Sequence, residues 1–347
     1  MGNEKTILEI KNLYKSFKTK KTVNEVLTNL SLSVSVGDIY GIIGLSGEGK
    51  STLVRCINLL ERPDQGDILY EGKDVMRYRR KDVRAYRKEV SMIFQDFNLM
   101  NQLTVLKNVM LPYKLVKRKN RFIKKEGKYR LSKAEMKAKA LELLDRVGLK
   151  EKANYYPSAL SGGMKQRVAI ARALASNPKI LLCDECTSAL DPTTANSILD
   201  LLQELNKELG LTIIIIAHQM SVIERVCNKV AILSGHEIVE KGKLSDVFIN
   251  PKTDIAKSLI YSDKINTKMS DKKGLRLTFD GNSDEPIIAL LIERCNVLVN
   301  IMYADTKVSE GKVYGQMIIK LPYYEEDVQK VKDFLINHGV FIEEVVL

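Results

Sequence analysis

The sequence predicts two α/β domains: a large open sheet flanked by helices, then a small domain of βαββαβ order. Three observations predict this. Two apolar runs, residues 180–183 and 213–217, have the length and branching of strands buried on both faces, and helical periodicity surrounds them. The chain has 347 residues, more than one domain usually holds. A strongly polar stretch, 262–273, separates a second regular pattern from the first.

Taken in order, residues 7–43 alternate between apolar and polar, notably at Leu30, Leu32, Val34 and Val36, and that period of two argues for strands. Residues 39–43 form a continuous apolar strand running into glycines, and from Ser51 the pattern becomes helical. Residues 134–147 read as an amphipathic helix ending near Gly148. In the second pattern Leu275, Leu277 and Phe279 alternate, 287–294 is helical, and Val297, Val299 and Ile301 alternate again. A strand over 313–320, a helix over 325–337 and a strand over 340–346 complete the ferredoxin-like order. The expected domains are 1–245 and 274–347, with a linker over 246–273.

Composition narrows the function. With 45% apolar and 28% charged residues the chain builds a core, and wholesale disorder is excluded. The longest apolar run, 211–217, is broken by Thr212 and falls far short of the roughly 20 residues a membrane span needs. The net charge of +12 is local: residues 114–139 hold twelve Lys/Arg against two Glu. That distribution speaks against a nucleic-acid partner. The basic stretch reads as a solvated loop and helix face, with attraction to anionic lipid or a partner loop as the alternative. Five scattered cysteines and no apolar leader point to free thiols in a reducing cytoplasm. Met1-Gly2 with Thr6 formally fits a myristoylation pattern, one short enough to recur by chance.

The chemistry starts at Gly44-Leu45-Ser46-Gly47-Glu48-Gly49-Lys50-Ser51, followed by Thr52, which satisfies G-x-x-x-x-G-K-[ST] between a strand and a helix. Its glycines let backbone N–H groups turn toward phosphates, and the helix N-terminus adds positive potential. Lys50 is expected on the β/γ-phosphates and Ser51 on Mg²⁺. Glu48, a carboxylate near phosphates, is expected to point outward. An apolar strand ends in Asp184-Glu185; Asp184 suits a magnesium anchor and Glu185 a general base for the attacking water. Cys183 and Cys186 flank this pair, the former as core, the latter filling a small site, neither as a zinc ligand.

Leu160-Ser161-Gly162-Gly163-Met164-Lys165-Gln166-Arg167 opens a helix ahead of the acidic strand, and it resembles the signature of ABC-transporter ATPases. Other residues match in family order across about 7–245. Gln95 resembles the Q-loop glutamine, Ser188-Ala-Leu-Asp191 the D-loop, His218 the switch histidine, and Phe17 the aromatic that stacks on adenine. Singly, each has a plainer reading: a packed histidine, a surface amide, a core aromatic. Met164 departs from the family's glutamine, while Ser161, Gly162 and Gly163, the expected γ-phosphate ligands, are intact.

The resemblance implies a head-to-tail homodimer with two ATP sandwiched between phosphate loop and signature, closing on ATP and reopening on hydrolysis. It implies Mg²⁺ held by Ser51, Gln95 and Asp184, and His218 touching the γ-phosphate. It also implies two integral-membrane permease subunits, an extracytoplasmic substrate-binding protein, and a peripheral location on the cytoplasmic face of the cell membrane. The segment Asn296-Val-Leu-Val-Asn300-Ile301-Met302 is similar to the NIL domain of methionine-importer ATPases, where intracellular methionine inhibits uptake. Asn300 is the candidate effector ligand; the plainer reading is a strand residue at a dimer interface. The alternatives are an importer of another amino acid or peptide with a purely dimerising second domain, and a non-transport ABC ATPase of DNA repair or translation, which usually has long coiled coils or tandem units.

Overall fold

The computed structural model describes residues 5–19, 22–117, 131–261, 273–279, 285–309 and 312–346. They fall into two compact units that divide between Gly242 and Lys243.

In the first unit a four-stranded sheet is built from β1 (Thr6–Lys18), β2 (Val23–Ser35), β4 (Gln65–Tyr70) and β5 (Lys73–Asp74), in the order β2-β1-β4-β5. Its β1–β2 and β1–β4 pairs are antiparallel. A six-stranded sheet follows the order β10-β9-β3-β8-β7-β6, with β3 (Ile39–Gly44), β6 (Val90–Ile93), β7 (Ile180–Asp184), β8 (Thr212–Ala217), β9 (Lys229–Ser234) and β10 (Glu237–Lys243). Strands β6, β7, β8, β3 and β9 run parallel. Every residue of β3, β7 and β8 is buried, which is why these strands read as unbroken apolar runs. Helix α1 (Lys50–Ile57) shares one core with both sheets: Leu8, Leu30, Leu53, Ile57, Leu182 and Ile214 are among its buried side chains.

The helices α2 (Arg80–Glu89), α3 (Val105–Val109), α4 (Leu111–Lys117), α5 (Lys133–Arg146), α6 (Gly162–Leu174), α7 (Pro192–Leu209) and α8 (Met220–Val226) complete the unit. Local sequence explains their ends. Ser132 and Glu135 form a capping box on α5. Asp191 caps α7, Pro192 opens it, and Gly210 closes it in the left-handed conformation. Helices α3, α5 and α6 pack on one another between β6 and β7 in chain order. On α5, Lys133, Lys137 and Lys139 are solvent-exposed, as a solvated helix face requires; the basic residues at 118–130 lie outside the described residues.

The second unit holds α9 (Leu244–Ile249), α10 (Asp254–Tyr261), β11 (Lys273–Phe279), α11 (Ile287–Cys295), β12 (Asn300–Ser309), β13 (Lys312–Lys320), α12 (Glu325–Asn337) and β14 (Phe341–Val346). Its sheet, β12-β13-β11-β14, is antiparallel throughout, the expected ferredoxin-like βαββαβ arrangement. Leu275, Leu277, Leu291, Ile319, Val331 and Leu335 form its core. Where a linker was expected over 246–273, the structure places α9 and α10 inside this unit. Leu244, Val247 and Phe248 are buried at helical spacing, and Phe248 accepts a hydrogen bond through its carbonyl from Gln316. Residues 262–272 of that stretch lie outside the described residues.

All five cysteines are free; Cys56, Cys183, Cys186 and Cys227 are buried and Cys295 is partly exposed.

Candidate active site

The parallel strands deliver most of the expected residues to one edge. Ile43 of β3 pairs with Ala217 of β8, so Gly44 and His218 leave the sheet side by side. Asp184, the last residue of β7, pairs with Ile216, and Ile93 of β6 pairs with Cys183, which places Gln95 beyond the same edge. Carboxyl ends of parallel strands are where open α/β sheets bind ligands, because the helices that follow aim their N-termini there.

The phosphate loop wraps the start of α1. Lys50 is buried and donates from Nζ to the carbonyls of Gly44 at 2.8 Å and Leu45 at 2.7 Å. Burial pushes its ammonium below the ordinary value, while Glu185, Glu48 and Asp184 pull it back up. Gly49 has φ +93°, and a Cβ there would lie 2.4 Å from the carbonyl oxygen of Val26 on β2. No L side chain fits, so the motif's second glycine is a steric requirement. Glu48 accepts from the His236 backbone N–H at 3.1 Å, so its carboxylate is engaged by the turn between β9 and β10.

Ser51 donates from Oγ to Asp184 Oδ1 at 2.7 Å. Burial raises the Asp184 carboxyl, and the Ser51 hydroxyl partly offsets that. Beside it Glu185 sits at φ +48°, a left-handed backbone that carries strain in a residue other than glycine. His218 donates from Nε2 to Glu185 Oε1, tying the end of β8 to the end of β7. Glu185, Ser188, Pro192, His218 and Gln219 are among the residues lining a cleft of about 480 Å³. Cys183 and Cys186 are hydrogen-bonded in the core, and among the described residues no group of His, Cys, Asp or Glu is arranged to hold a metal by itself.

Two further expected residues cap helices. Ser161 caps α6 by accepting from the Met164 N–H at 3.3 Å, and Asp191 caps α7 by accepting from the Thr194 N–H at 3.0 Å. They belong together: a Cβ on Gly163 would lie 2.3 Å from Thr194 Cγ2, and one on Gly162 would lie 3.1 Å from Leu190 Cδ2. The signature glycines are therefore a packing surface for the start of α7. Thr194 escaped the sequence reading; the Asp-Pro-x-Thr helix start is the signal that could have found it. Phe17 is 39% exposed on β1, with Lys15 Nζ 5.0 Å from its ring centre. It pairs with Asn24, two residues before the Val26 that touches the phosphate loop. Asn300 opens β12, the edge strand of the second unit, and is exposed.

A phosphate loop on a parallel sheet, an acidic strand end and a signature helix define an ABC-type ATP-hydrolysing subunit. Residues 27–188 match the ABC transporter family and residues 273–344 the NIL domain. The chain is 41% identical over 97% of its length to the methionine import ATP-binding protein MetN of Escherichia coli K12, covering 98% of that protein. Identity and coverage are the same for MetN 1 of Salmonella typhi. Among solved structures, the ATP-binding cassette MJ0796, as a dimer bound to ADP and Pi after hydrolysis, gives a TM-score of 0.61 at 34% identity, spanning 69% of this chain and 99% of that one. Clostridium perfringens cbiO1, part of an ABC transporter complex, gives 0.61 at 30% identity over 71% of this chain and 91% of its own. The chain belongs to the family of MetN-type ABC transporter ATP-binding proteins.

Proposed function

We propose that the chain hydrolyses ATP to drive methionine uptake through membrane permease partners. The family assignment, at 41% identity along nearly the whole chain, carries this reading. The site supports the chemistry. Lys50 and the loop N–H groups hold the phosphates, and Phe17 presents an exposed ring for the base. Glu185 takes a proton from the attacking water, His218 holds Glu185 and meets the γ-phosphate, and the terminal phosphate leaves ADP. Ser51 and Asp184 are hard oxygen donors 2.7 Å apart, and with Gln95 they suit Mg²⁺. When bound, that ion neutralises charge developing on the phosphates.

Ser161 and Asp191 point to the second half of the mechanism. They are fixed as the N-caps of their own helices. A second copy, arranged head to tail, would supply them to the first copy's ATP, where a helix N-terminus stabilises γ-phosphate charge. A peripheral position on the cytoplasmic face of the cell membrane, beside two permease subunits fed by an extracytoplasmic binding protein, follows from the importer reading.

The second unit would bind methionine and slow uptake, with Asn300 as ligand. One observation favours a dimerising role instead: apolar Ile301 and Met302 on the edge strand β12, and Leu298 just before it, are exposed around Asn300, Leu298 at 85%. Measuring ATP hydrolysis by the chain with its permease, with and without millimolar L-methionine, separates the two. Inhibition that disappears in Asn300→Ala supports the effector site. ATPase indifferent to methionine leaves a dimerising unit.

A further inference from the structure

The turn that carries Gln95 has no regular structure of its own. Residues 94–104 run between β6 and α3, with Phe97 and Asn98 both left-handed, at φ +59° and +50°. Asn108 grips the far end of this loop, bonding the Met100 N–H and the carbonyls of Met100, Leu103 and Thr104. The near end is gripped from α6. Arg172 donates from one guanidinium nitrogen to the carbonyl of Asn98 at 2.5 Å and from another to that of Phe97 at 2.8 Å.

The choice of residue is telling. Arg172 is partly buried and bonds no carboxylate among the described residues, so its charge is held by two peptide carbonyls. Leaving a cation there costs solvation unless both acceptors stay in place. Its planar fork meets two consecutive carbonyls from two separate nitrogens held in one rigid plane, a fixed geometry that the freely rotating ammonium of lysine does not supply. Arg172 also shares a helix with Ser161. The cap and the guanidinium-bearing residue are eleven positions apart, about 16 Å at the rise of an α-helix.

We propose that Arg172 is a positioning residue for ATP hydrolysis: it sets the Gln95 turn and makes that turn move with the helix whose N-terminus is capped by Ser161. This rests on the ATP-site reading above. One rigid element then connects the signature of a subunit to that subunit's own Gln95, so a displacement of either end reaches the other.

The test is steady-state Mg-ATP hydrolysis by the full chain, comparing wild type, Arg172→Lys, Arg172→Gln, Gln95→Ala and Gln95→Ala/Arg172→Lys, with melting temperatures alongside. Expected are a kcat about tenfold lower in both Arg172 variants, KM for ATP within about twofold of wild type, and little change in melting temperature, since a small misplacement costs rate before it costs stability. In the Gln95→Ala background, Arg172→Lys should lower kcat no further, because both changes disable one group. Additive losses, or a fall in melting temperature that accounts for the lost rate, would assign Arg172 a structural role and overturn the proposal. Slow Gln95→Ala with wild-type Arg172→Lys and Arg172→Gln overturns it while leaving the ATP site intact. Wild-type rates in Gln95→Ala overturn the placement of Gln95 in the site, and the proposal with it.

Discussion

Two partly or wholly buried carboxylates, one in each unit, are driven in opposite directions. Asp184, at the end of β7, is raised by burial, and a serine hydroxyl relieves it only in part. Glu343, on β14, is also raised by burial, but hydrogen bonding from Lys257 and the charges of Arg276 and Lys257 bring it below the ordinary value. Arg276 is buried and reaches Glu343 at 2.6 Å, while Lys257 of α10 reaches it at 3.0 Å. The difference separates a buried carboxylate left under strain from one paired so that it braces a fold. The first unit holds a carboxylate under strain at the end of β7; the second pairs one so that a helix is fastened to the sheet.

The sharpest break would come from the reacting group. Glu185→Gln should lower kcat by about 10² to 10⁴-fold while ATP still binds, read by hydrolysis and by nucleotide titration. Near-normal turnover would place the base elsewhere. Asp184→Asn should abolish hydrolysis yet raise the melting temperature in chelator by a few degrees, on the order of 1 kcal/mol, because a buried charge is removed. A lower melting temperature would erase the contrast between the units. Gly163→Ala should cost about 1–3 kcal/mol through overlap with the Thr194 methyl, and Thr194→Ser, which lacks that methyl, should restore most of it.

The smaller effects concern bracing. The Glu343 pKa is lowered on folding, so its stabilisation is present above its ordinary value of 4.5 and is lost as pH falls through the folded-state value. Glu343→Gln should therefore melt lower than wild type near neutrality, with the gap closing below about pH 4. An unchanged gap in acid would mean that packing, not charge, fastens α10. Gln166 of α6 is fully buried, and neither its Nε2 nor its Oε1 has a hydrogen-bond partner among the described residues. Gln166→Met should be neutral or stabilising by up to about 1 kcal/mol in thermal melts, since an unsatisfied amide is replaced by a side chain of similar shape.

What the sequence disclosed follows physical range. Strands β3, β7 and β8 announce themselves because burial on both faces leaves no polar position to interrupt them. The phosphate loop is legible because its glycines answer local needs, as the Val26 carbonyl against Gly49 shows. Helices α9 and α10 were read as linker because each is short, and their apolar residues find partners only in the folded second unit. Arg172 was invisible for a related reason. An arginine on a helix resembles any solvated one until its acceptors, more than 70 residues away in the chain, are brought beside it.

The distribution of thiols has a practical consequence. Burial pushes the Cys56 thiol up to about 12 and raises Cys183 and Cys227 as well, and Cys186 is covered by the core. Cys56, Cys183 and Cys227 stay protonated at neutral pH, and all four buried sulfurs are out of reach of alkylating reagents. Cys295, at the end of α11, is the one cysteine with solvent access. The wild-type chain thus carries a ready handle for a single spin label or fluorophore. Attached there, the probe would report distances between copies of the second unit without any engineered cysteine.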